Sequence, residues 1–102
     1  GFEIVVHKPA AHRTHFLSDG AGSVIEIYCN PANEVPDYAR QNPLIFHLAV
    51  VSENPQKDAE RLIAVGAQWE EEVIPEEGSR LVMLRDPWGL ALQLCKRAQP
   101  LG

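Results

Sequence analysis

The chain has 102 residues, of which 45% are hydrophobic and 23% charged, and 9 basic against 14 acidic side chains give a formal net charge of −5. Such values are typical of one ordinary globular domain. The acidic balance and the lack of Lys/Arg-rich stretches argue against a nucleic-acid partner, which requires clustered cations. The longest apolar run, Leu44 to Val51, is too short to cross a bilayer. With two cysteines and no secretory leader at the start, we expect a cytoplasmic protein.

Three short strands are predicted at the start of the chain. They are rich in β-branched and aromatic residues and cover residues 2–7, 12–18 and 23–29. Between the last two, residues 19–22 contain glycines that favour a tight hairpin loop. If that loop has four residues, His15 lies opposite Glu26 on one face of the sheet, and an error of one residue in its length reverses this.

Residues 31–43 contain three prolines and show no helical or strand period, so we interpret them as a linker without a regular element. A nearly continuous apolar run over 44–52 then predicts a buried strand. Three further strands are expected over 68–75, 79–85 and 90–97.

A helix is predicted from Pro55 to about Val65. Asn54 offers a side-chain oxygen to the first free amides, Pro55 suits the first helical position, and Gly66 stands where a C′ glycine belongs. The spacing places these residues on one face: Ala59, Leu62, Ile63 and Gly66.

The segment Asp86-Pro87-Trp88-Gly89 has proline at its second and glycine at its fourth position, which predicts a type I turn in which Asp86 hydrogen-bonds its own backbone. The second part of the chain therefore has the order β-α-β-β-β. The first part shows only β-β-β, so one strand and one helix are missing from a pseudo-repeat.

These features resemble the vicinal oxygen chelate superfamily, which includes glyoxalases, bleomycin-resistance proteins and extradiol dioxygenases. The resemblance is carried by four segments: Ile25-Glu26-Ile27-Tyr28, Phe46-His47-Leu48-Ala49-Val50, Ala64-Val65-Gly66-Ala67 and Leu84-Arg85-Asp86-Pro87-Trp88-Gly89. The chain departs from the usual pattern at Leu90, where Asn is common after the turn, and at Gln93, where the closing strand usually carries Glu.

The resemblance implies an α+β fold of paired βαβββ modules that form a concave mixed sheet. On this basis residues 1–30 are a partial first module without its opening strand and helix, residues 31–43 a linker, and residues 44–102 the second module. Family members hold a divalent metal with ligands from the first and last strands of each module. Position by position, these are Glu26, His47 and Gln93. The fourth ligand has no counterpart, so it comes either from residues preceding Gly1 or from another chain.

Strand parity gives an independent indication for the three candidate ligands. Because residues two apart share a face of a strand, Glu26, His47 and Gln93 each lie on the face opposite their bulky aliphatic neighbours. A carboxylate, an imidazole and an amide oxygen suit Zn²⁺, Ni²⁺, Mn²⁺ or Fe²⁺. In a glyoxalase-like reaction Glu26 would be the natural catalytic base if it is displaced from the metal, whereas the amide of Gln93 is a neutral, weaker ligand.

Plainer interpretations stay open for each residue taken alone. Glu26 can be a solvated or ion-paired carboxylate, and His47 and Gln93 can be hydrogen-bonded core groups. The leading hypothesis is a metal-dependent lyase or dioxygenase acting on a small oxygenated or thiol-conjugated molecule. The alternatives are a metal-free small-molecule binding protein of the bleomycin-resistance kind and a degenerate module without activity. Since an incomplete module leaves a sheet edge unpaired, we also expect a homodimer.

Overall fold

The computed structural model describes residues 1–8 and 13–101. The chain divides into two compact units, Gly1–Val35 and Pro36–Gly102. Each unit contains a sheet of its own, and the second also contains an α-helix, so the predicted α+β class is confirmed. Among the described residues, no helix combines the length and apolar character that a membrane crossing requires.

The first unit contains a three-stranded antiparallel sheet. Its strands, in spatial order, are β1 (Glu3–Lys8), β2 (Thr14–Ser18) and β3 (Val24–Ile27). All three were predicted, and none of their bounds is shifted by more than two residues. His12, the first residue of the predicted second strand, lies outside the described residues.

The loop between β2 and β3 is one residue longer than the predicted four. The Asp19 carboxylate accepts hydrogen bonds from the backbone amides of Ala21 and Ser23, at 2.7 and 3.0 Å, and so keeps Ser23 in the loop. Ser18 consequently pairs with Val24.

This register places Phe16 opposite Glu26 and His15 opposite Ile27. The shared face of His15 and Glu26 depended on a four-residue loop; the loop has five residues, so the reversed arrangement expected for an error of one residue is the one observed. Because neighbouring strand residues point to opposite faces, His15 and Glu26 lie on different faces of the sheet.

The second unit contains a four-stranded sheet and one α-helix. In chain order its elements are β4 (Leu48–Val51), α1 (Pro55–Ala64), β5 (Gln68–Val73), β6 (Arg80–Arg85) and β7 (Ala91–Lys96). The sheet order is β4-β7-β6-β5; β4 runs parallel to β7 and the other pairs are antiparallel. The segment predicted to have no regular element contains a short 3-10 helix, Tyr38–Arg40, so that prediction is wrong.

The predicted strand over 44–52 is also shorter than expected. Its first residues form a turn, because the Asn42 side chain accepts from the amide of Leu44 at 2.9 Å and the Asn42 carbonyl accepts from the amide of Ile45 at 2.9 Å. An Asn followed by Pro43 starts a helical turn just as Asn54 does before Pro55. Ile45 is 81% exposed, so this part of the run is not buried.

The helix follows its sequence signals closely. The Asn54 side chain accepts from the amide of Lys57 at 3.1 Å, and Gly66 has a φ of 116°, the left-handed conformation expected just after the helix. On the core side, fully buried Ala59 packs with Val82, Leu84 and Leu94, and Leu62 is partly buried against them. Ile63, predicted on the same face, is 40% exposed.

The predicted turn at Asp86 is present and is closely packed. The Asp86 carboxylate accepts from the amides of Trp88 and Leu90, each at 2.9 Å. Gly89 has a φ of 91°, and a Cβ atom there would lie 2.6 Å from the Cβ atom of Ala39. Glycine is required at this position both by the backbone conformation and by the close approach of the 3-10 helix.

Arg85 ties the segment that precedes β4 to the sheet. Its guanidinium donates to the backbone carbonyls of Tyr38, Gln41 and Gly89, at 3.1, 2.9 and 2.8 Å, and forms an ion pair with Glu70. The side chain is 13% exposed. Since the fork of five donors meets several acceptors at once, this arginine fixes the path of the chain toward His47.

Candidate functional site

His47 and Gln93 come together through the parallel pairing of β4 with β7. Ala49 is the cross-strand partner of Gln93, and His47 stands two residues before Ala49. Both side chains line a cavity of about 960 Å³ within the second unit. The remaining lining residues are Ala49, Val50, Val51, Ser52, Glu53, Cys95, Lys96, Arg97, Pro100 and Leu101.

The register of the sheet confirms the faces predicted by parity for these two strands. Val50 is paired with Leu94, and both pack against the core residue Ala59 on the helix side. Ala49 and Gln93 are paired on the next row, which faces the other way. Gln93 is therefore on the sheet face that the helix leaves free, and His47, which precedes β4, lines the same cavity.

The orientation of His47 is set by a hydrogen bond to the backbone. Its Nδ1 lies within hydrogen-bond distance of the Pro43 carbonyl oxygen. Because a carbonyl can only accept, Nδ1 carries the proton of the neutral ring, and Nε2 keeps its lone pair. A backbone carbonyl on the second ring nitrogen is the arrangement that usually orients a metal-binding histidine.

Gln93 has a hydrogen-bond partner within the cavity. The thiol of Cys95 donates to the Gln93 Oε1 atom, with a sulfur–oxygen distance of 3.0 Å. Burial raises the pKa of the Cys95 thiol above its ordinary value of 9.0, so the thiol form that donates this bond is favoured. The amide oxygen has a second lone pair for a ligand or metal.

The cavity combines an apolar wall with a few charged groups. Val51, Pro100 and Leu101 supply apolar surface, while Glu53, Lys96 and Arg97 supply charge. A concave site of this kind, mainly apolar with a small number of polar anchors, suits a small organic ligand.

Glu26, the third candidate residue, belongs to the first unit. It lies on β3, is exposed, and faces Phe16 across the strand pair. Within the described part of the chain, no group of three or more His, Cys, Asp and Glu side chains is placed to hold a metal ion. A set made of Glu26, His47 and Gln93 contains only two residues of those four types.

Two contributors to the site were missed by the sequence analysis. Cys95 stands two residues after Gln93 and so shares its face of the strand, which is the signal that could have indicated its thiol as a partner of the amide. The Pro43 carbonyl, which orients His47, left no signal of its own, although the Asn42-Pro43 pair indicates the turn that brings it there.

The family of this chain follows from its similarity to known proteins. The family model described as Glyoxalase-like domain matches residues 4–95. The chain therefore belongs to the glyoxalase-like family. This confirms the resemblance stated from the sequence. A search of curated proteins finds no match for this glyoxalase-like chain.

Solved structures share the glyoxalase-like fold. SMU.1112c is 24% identical over 93% of this chain and 80% of its own, with a TM-score of 0.68. A glyoxalase family protein from Enterococcus faecalis is 26% identical over 93% of this chain and 78% of its own, with a TM-score of 0.64. A bleomycin resistance determinant encoded on transposon Tn5 is 18% identical over 97% and 81%, with a TM-score of 0.56.

Proposed function

We propose that this glyoxalase-like protein binds a small oxygenated or thiol-conjugated molecule beside a divalent metal held by His47, Gln93 and Glu26. The observation that carries the proposal is the orientation of His47. Its Nδ1 proton is committed to the Pro43 carbonyl, so Nε2 is the free donor atom of a ring that lines the same cavity as Gln93. Glu26 is included as a ligand because it corresponds to a metal-ligand position of the family.

The donor set fits a borderline or hard cation. One imidazole nitrogen, one carboxylate and one amide oxygen suit Zn²⁺, Ni²⁺, Mn²⁺ or Fe²⁺ better than metals that prefer thiolates. When bound, such a metal would act as a Lewis acid toward a carbonyl or enediolate oxygen of the substrate.

The chain's own residues would divide the remaining work. Once displaced from the metal, the Glu26 carboxylate would accept and return a proton at a carbon next to the substrate carbonyl, as a lyase reaction requires. Val51 and Leu101 would offer apolar contact to the ligand, and Lys96 and Arg97 would attract an anionic group. The amide of Gln93 is neither an acid nor a base at neutral pH, so Gln93 would only hold the metal.

Metal content per chain tests the proposal. The protein is purified without chelator from medium containing all four metals, and the bound metal is measured by mass spectrometry. The variants are His47→Ala and Gln93→Leu. The matched control is Gln68→Leu, which changes a glutamine on the exposed edge strand β5 of the same sheet.

We expect close to one metal per chain in the wild type and in Gln68→Leu, and a loss of this metal in His47→Ala. Gln93→Glu should bind more tightly than the wild type, because a carboxylate is a stronger ligand than an amide for these cations. A wild-type protein that is empty and refuses added metal would overturn the metal-dependent function. Lyase and dioxygenase assays follow only if metal is found.

A metal-free binding protein is the second candidate. It is favoured by the amide at Gln93, whose oxygen already accepts from the Cys95 thiol, and by the lack of a group of three His, Cys, Asp and Glu side chains in residues 1–8 and 13–101. The structural similarity to a bleomycin resistance determinant suggests bleomycin as a first probe. Calorimetric binding of bleomycin that needs no metal, and that His47→Ala weakens, would support this candidate.

We further propose that the chain forms a homodimer. Residues 1–30 would be a partial first module, residues 31–43 a linker and residues 44–102 the second module. In the first unit the outer strands β1 and β3 carry exposed apolar residues, with Ile4 61% and Ile27 54% exposed, which suits coverage by a partner. Light scattering after gel filtration should give twice the chain mass, and a monomer at micromolar concentration would contradict the proposal.

A further inference from the structure

The cavity of the second unit follows β4 and β7 toward the ends of both strands. Gln93 is paired with Ala49, and two residues further along each strand Cys95 is paired with Val51. Arg97 follows Cys95 by two residues and also lines the cavity. At about 3.3 Å per residue, the backbone positions of Gln93 and Arg97 are about 13 Å apart. The cavity is therefore a long site with two distinct ends.

The end at Gln93 offers a hydrogen-bond donor and an acceptor. The Oε1 atom of Gln93 accepts from the Cys95 thiol, and among the described residues no acceptor is paired with the amide nitrogen. His47, whose Nδ1 proton is held by the Pro43 carbonyl, presents the Nε2 lone pair. A hydroxyl group suits this combination, because it can accept from an amide and donate to an imidazole at the same time.

The other end of the cavity has a positive charge balance. Lys96 and Arg97 line the cavity where β7 ends, and Glu53 lines it just after β4. All three residues are exposed. Two cations and one carboxylate at an open end suit a ligand carboxylate, which is attracted without having to leave the water.

The rest of the lining is mainly apolar. Ala49, Val51, Pro100 and Leu101 all contribute to it. Val51 is 90% and Leu101 80% exposed, so both can lose contact with water when a ligand binds. An aliphatic chain placed against them is expected to gain about fourfold in affinity for each methylene group that it buries.

We propose that the cavity takes an aliphatic hydroxy acid, with its carboxylate beside Lys96 and Arg97 and its hydroxyl group at Gln93 and His47. This inference rests on the proposed function, because it uses the same cavity and selects an oxygenated ligand over a thiol-conjugated one. The two ends of the cavity require the hydroxyl group to be far from the carboxylate. Short hydroxy acids, in which the two groups are neighbours, cannot reach both ends.

Calorimetric titration of the wild-type protein in the presence of a chelator tests the ligand class. The main probe is decanoate with a hydroxyl group on its last carbon, whose extended length is close to the separation of about 13 Å. Decanoate, decanol and decylamine are the comparison ligands. They lack the hydroxyl group at the far end, the negative charge, and the negative charge with a positive charge in its place.

We expect the hydroxy acid to bind about three- to tenfold more tightly than decanoate, because it adds a hydrogen bond at Gln93. Decanoate should bind at least about threefold more tightly than decylamine, because the charge at the other end is positive. A hydroxyl group that adds nothing, or a decylamine affinity equal to that of decanoate, would overturn the proposal. These comparisons need no variant and so do not depend on how variants fold.

Variants then assign each end of the cavity. The double variant Lys96→Gln/Arg97→Gln should lose the preference for decanoate over decanol. Its matched control is Lys57→Gln/Arg61→Gln, which removes the same charge from α1 and should keep that preference. Gln93→Leu should remove the advantage of the hydroxy acid over decanoate. Unchanged preferences in the first and third variants would refute the assignment.

The metal content of the same preparations separates a failure of this inference from a failure of the proposed function. A protein that holds metal through His47 but binds none of the acids keeps the metal-dependent function and overturns the inference. A protein that refuses metal but binds the hydroxy acid with the expected preferences supports the inference and counts against the metal-dependent function.

Discussion

Arg85→Met is expected to destabilise the second unit strongly. The guanidinium donates to the carbonyls of Tyr38, Gln41 and Gly89, and it pairs with Glu70, while its side chain is only 13% exposed. Methionine keeps the length and the apolar stem of the side chain but donates nothing. The chain before β4 would then lose its attachment to the sheet.

The magnitude follows from the contacts. Hydrogen bonds that involve a charged group contribute about 1.5–3 kcal/mol each, whereas the ion pair with Glu70, whose side chain is 36% exposed, contributes less than about 1 kcal/mol. Water can form hydrogen bonds to the three carbonyls that the substitution leaves without a donor, and this offsets part of the loss. We therefore expect the free energy of unfolding to fall by about 3 kcal/mol. In a domain of this size that corresponds to a decrease of about 12–24 °C in Tm.

Urea unfolding followed by tryptophan fluorescence measures the effect, because Trp69 and Trp88 both lie in the second unit. The matched control is Arg80→Met on the same strand. Arg80 pairs with Glu72 at 3.1 Å and its side chain is 40% exposed, so the expected loss is below about 1 kcal/mol. Equal losses in the two variants would refute the reasoning, and so would a Glu70→Gln variant that reproduces the whole effect.

Two further predictions concern titrating groups. At pH 8 an alkylating reagent should modify exposed Cys29 well before buried Cys95, because burial raises the pKa of the Cys95 thiol. The rate of alkylation at Cys95 should increase as the pH passes 9.0. Equal labelling of the two cysteines at pH 8, measured by mass spectrometry, would contradict this. Backbone amides in the loop of Asp19 donate hydrogen bonds to its carboxylate and lower its pKa below 3.8. The stabilisation from these hydrogen bonds should be present above pH 3.8 and should be lost as the pH falls through the lowered pKa of Asp19. An NMR titration midpoint for Asp19 at or above 3.8 would show that these bonds do not form in solution.

Local signals predicted the second unit better than the first. The helix could be predicted from Asn54, Pro55 and Gly66, because each satisfies a specific backbone requirement at a helix end. The turn before β7 could be predicted from Asp86 for the same reason. The family resemblance added the grouping of these elements into a βαβββ module, and parity then placed Gln93 on the face opposite its bulky aliphatic neighbours. These features depend on a few neighbouring residues, which a single sequence displays.

The errors arose where two local signals competed. Over 44–47 the apolar run favoured a strand, but Asn42 and Pro43 began a turn, and the turn prevailed because its amides find partners at once. The predicted loop before β3 was one residue too short, because the Asp19 carboxylate accepts from the Ser23 amide and keeps Ser23 out of the strand. The position of Glu26 relative to His47 is outside what strand parity can predict, since parity describes one sheet at a time.

The parallel pairing of β4 with β7 has a consequence for how the site forms. These strands are the first and the last of the second unit, so His47 and Gln93 meet only after the whole intervening chain has been placed. Contacts this distant in sequence form late, because the loop they close carries a large entropic cost. A ligand that needs both residues would therefore select only fully folded molecules, and its binding could serve as a measure of the completely folded fraction in a preparation.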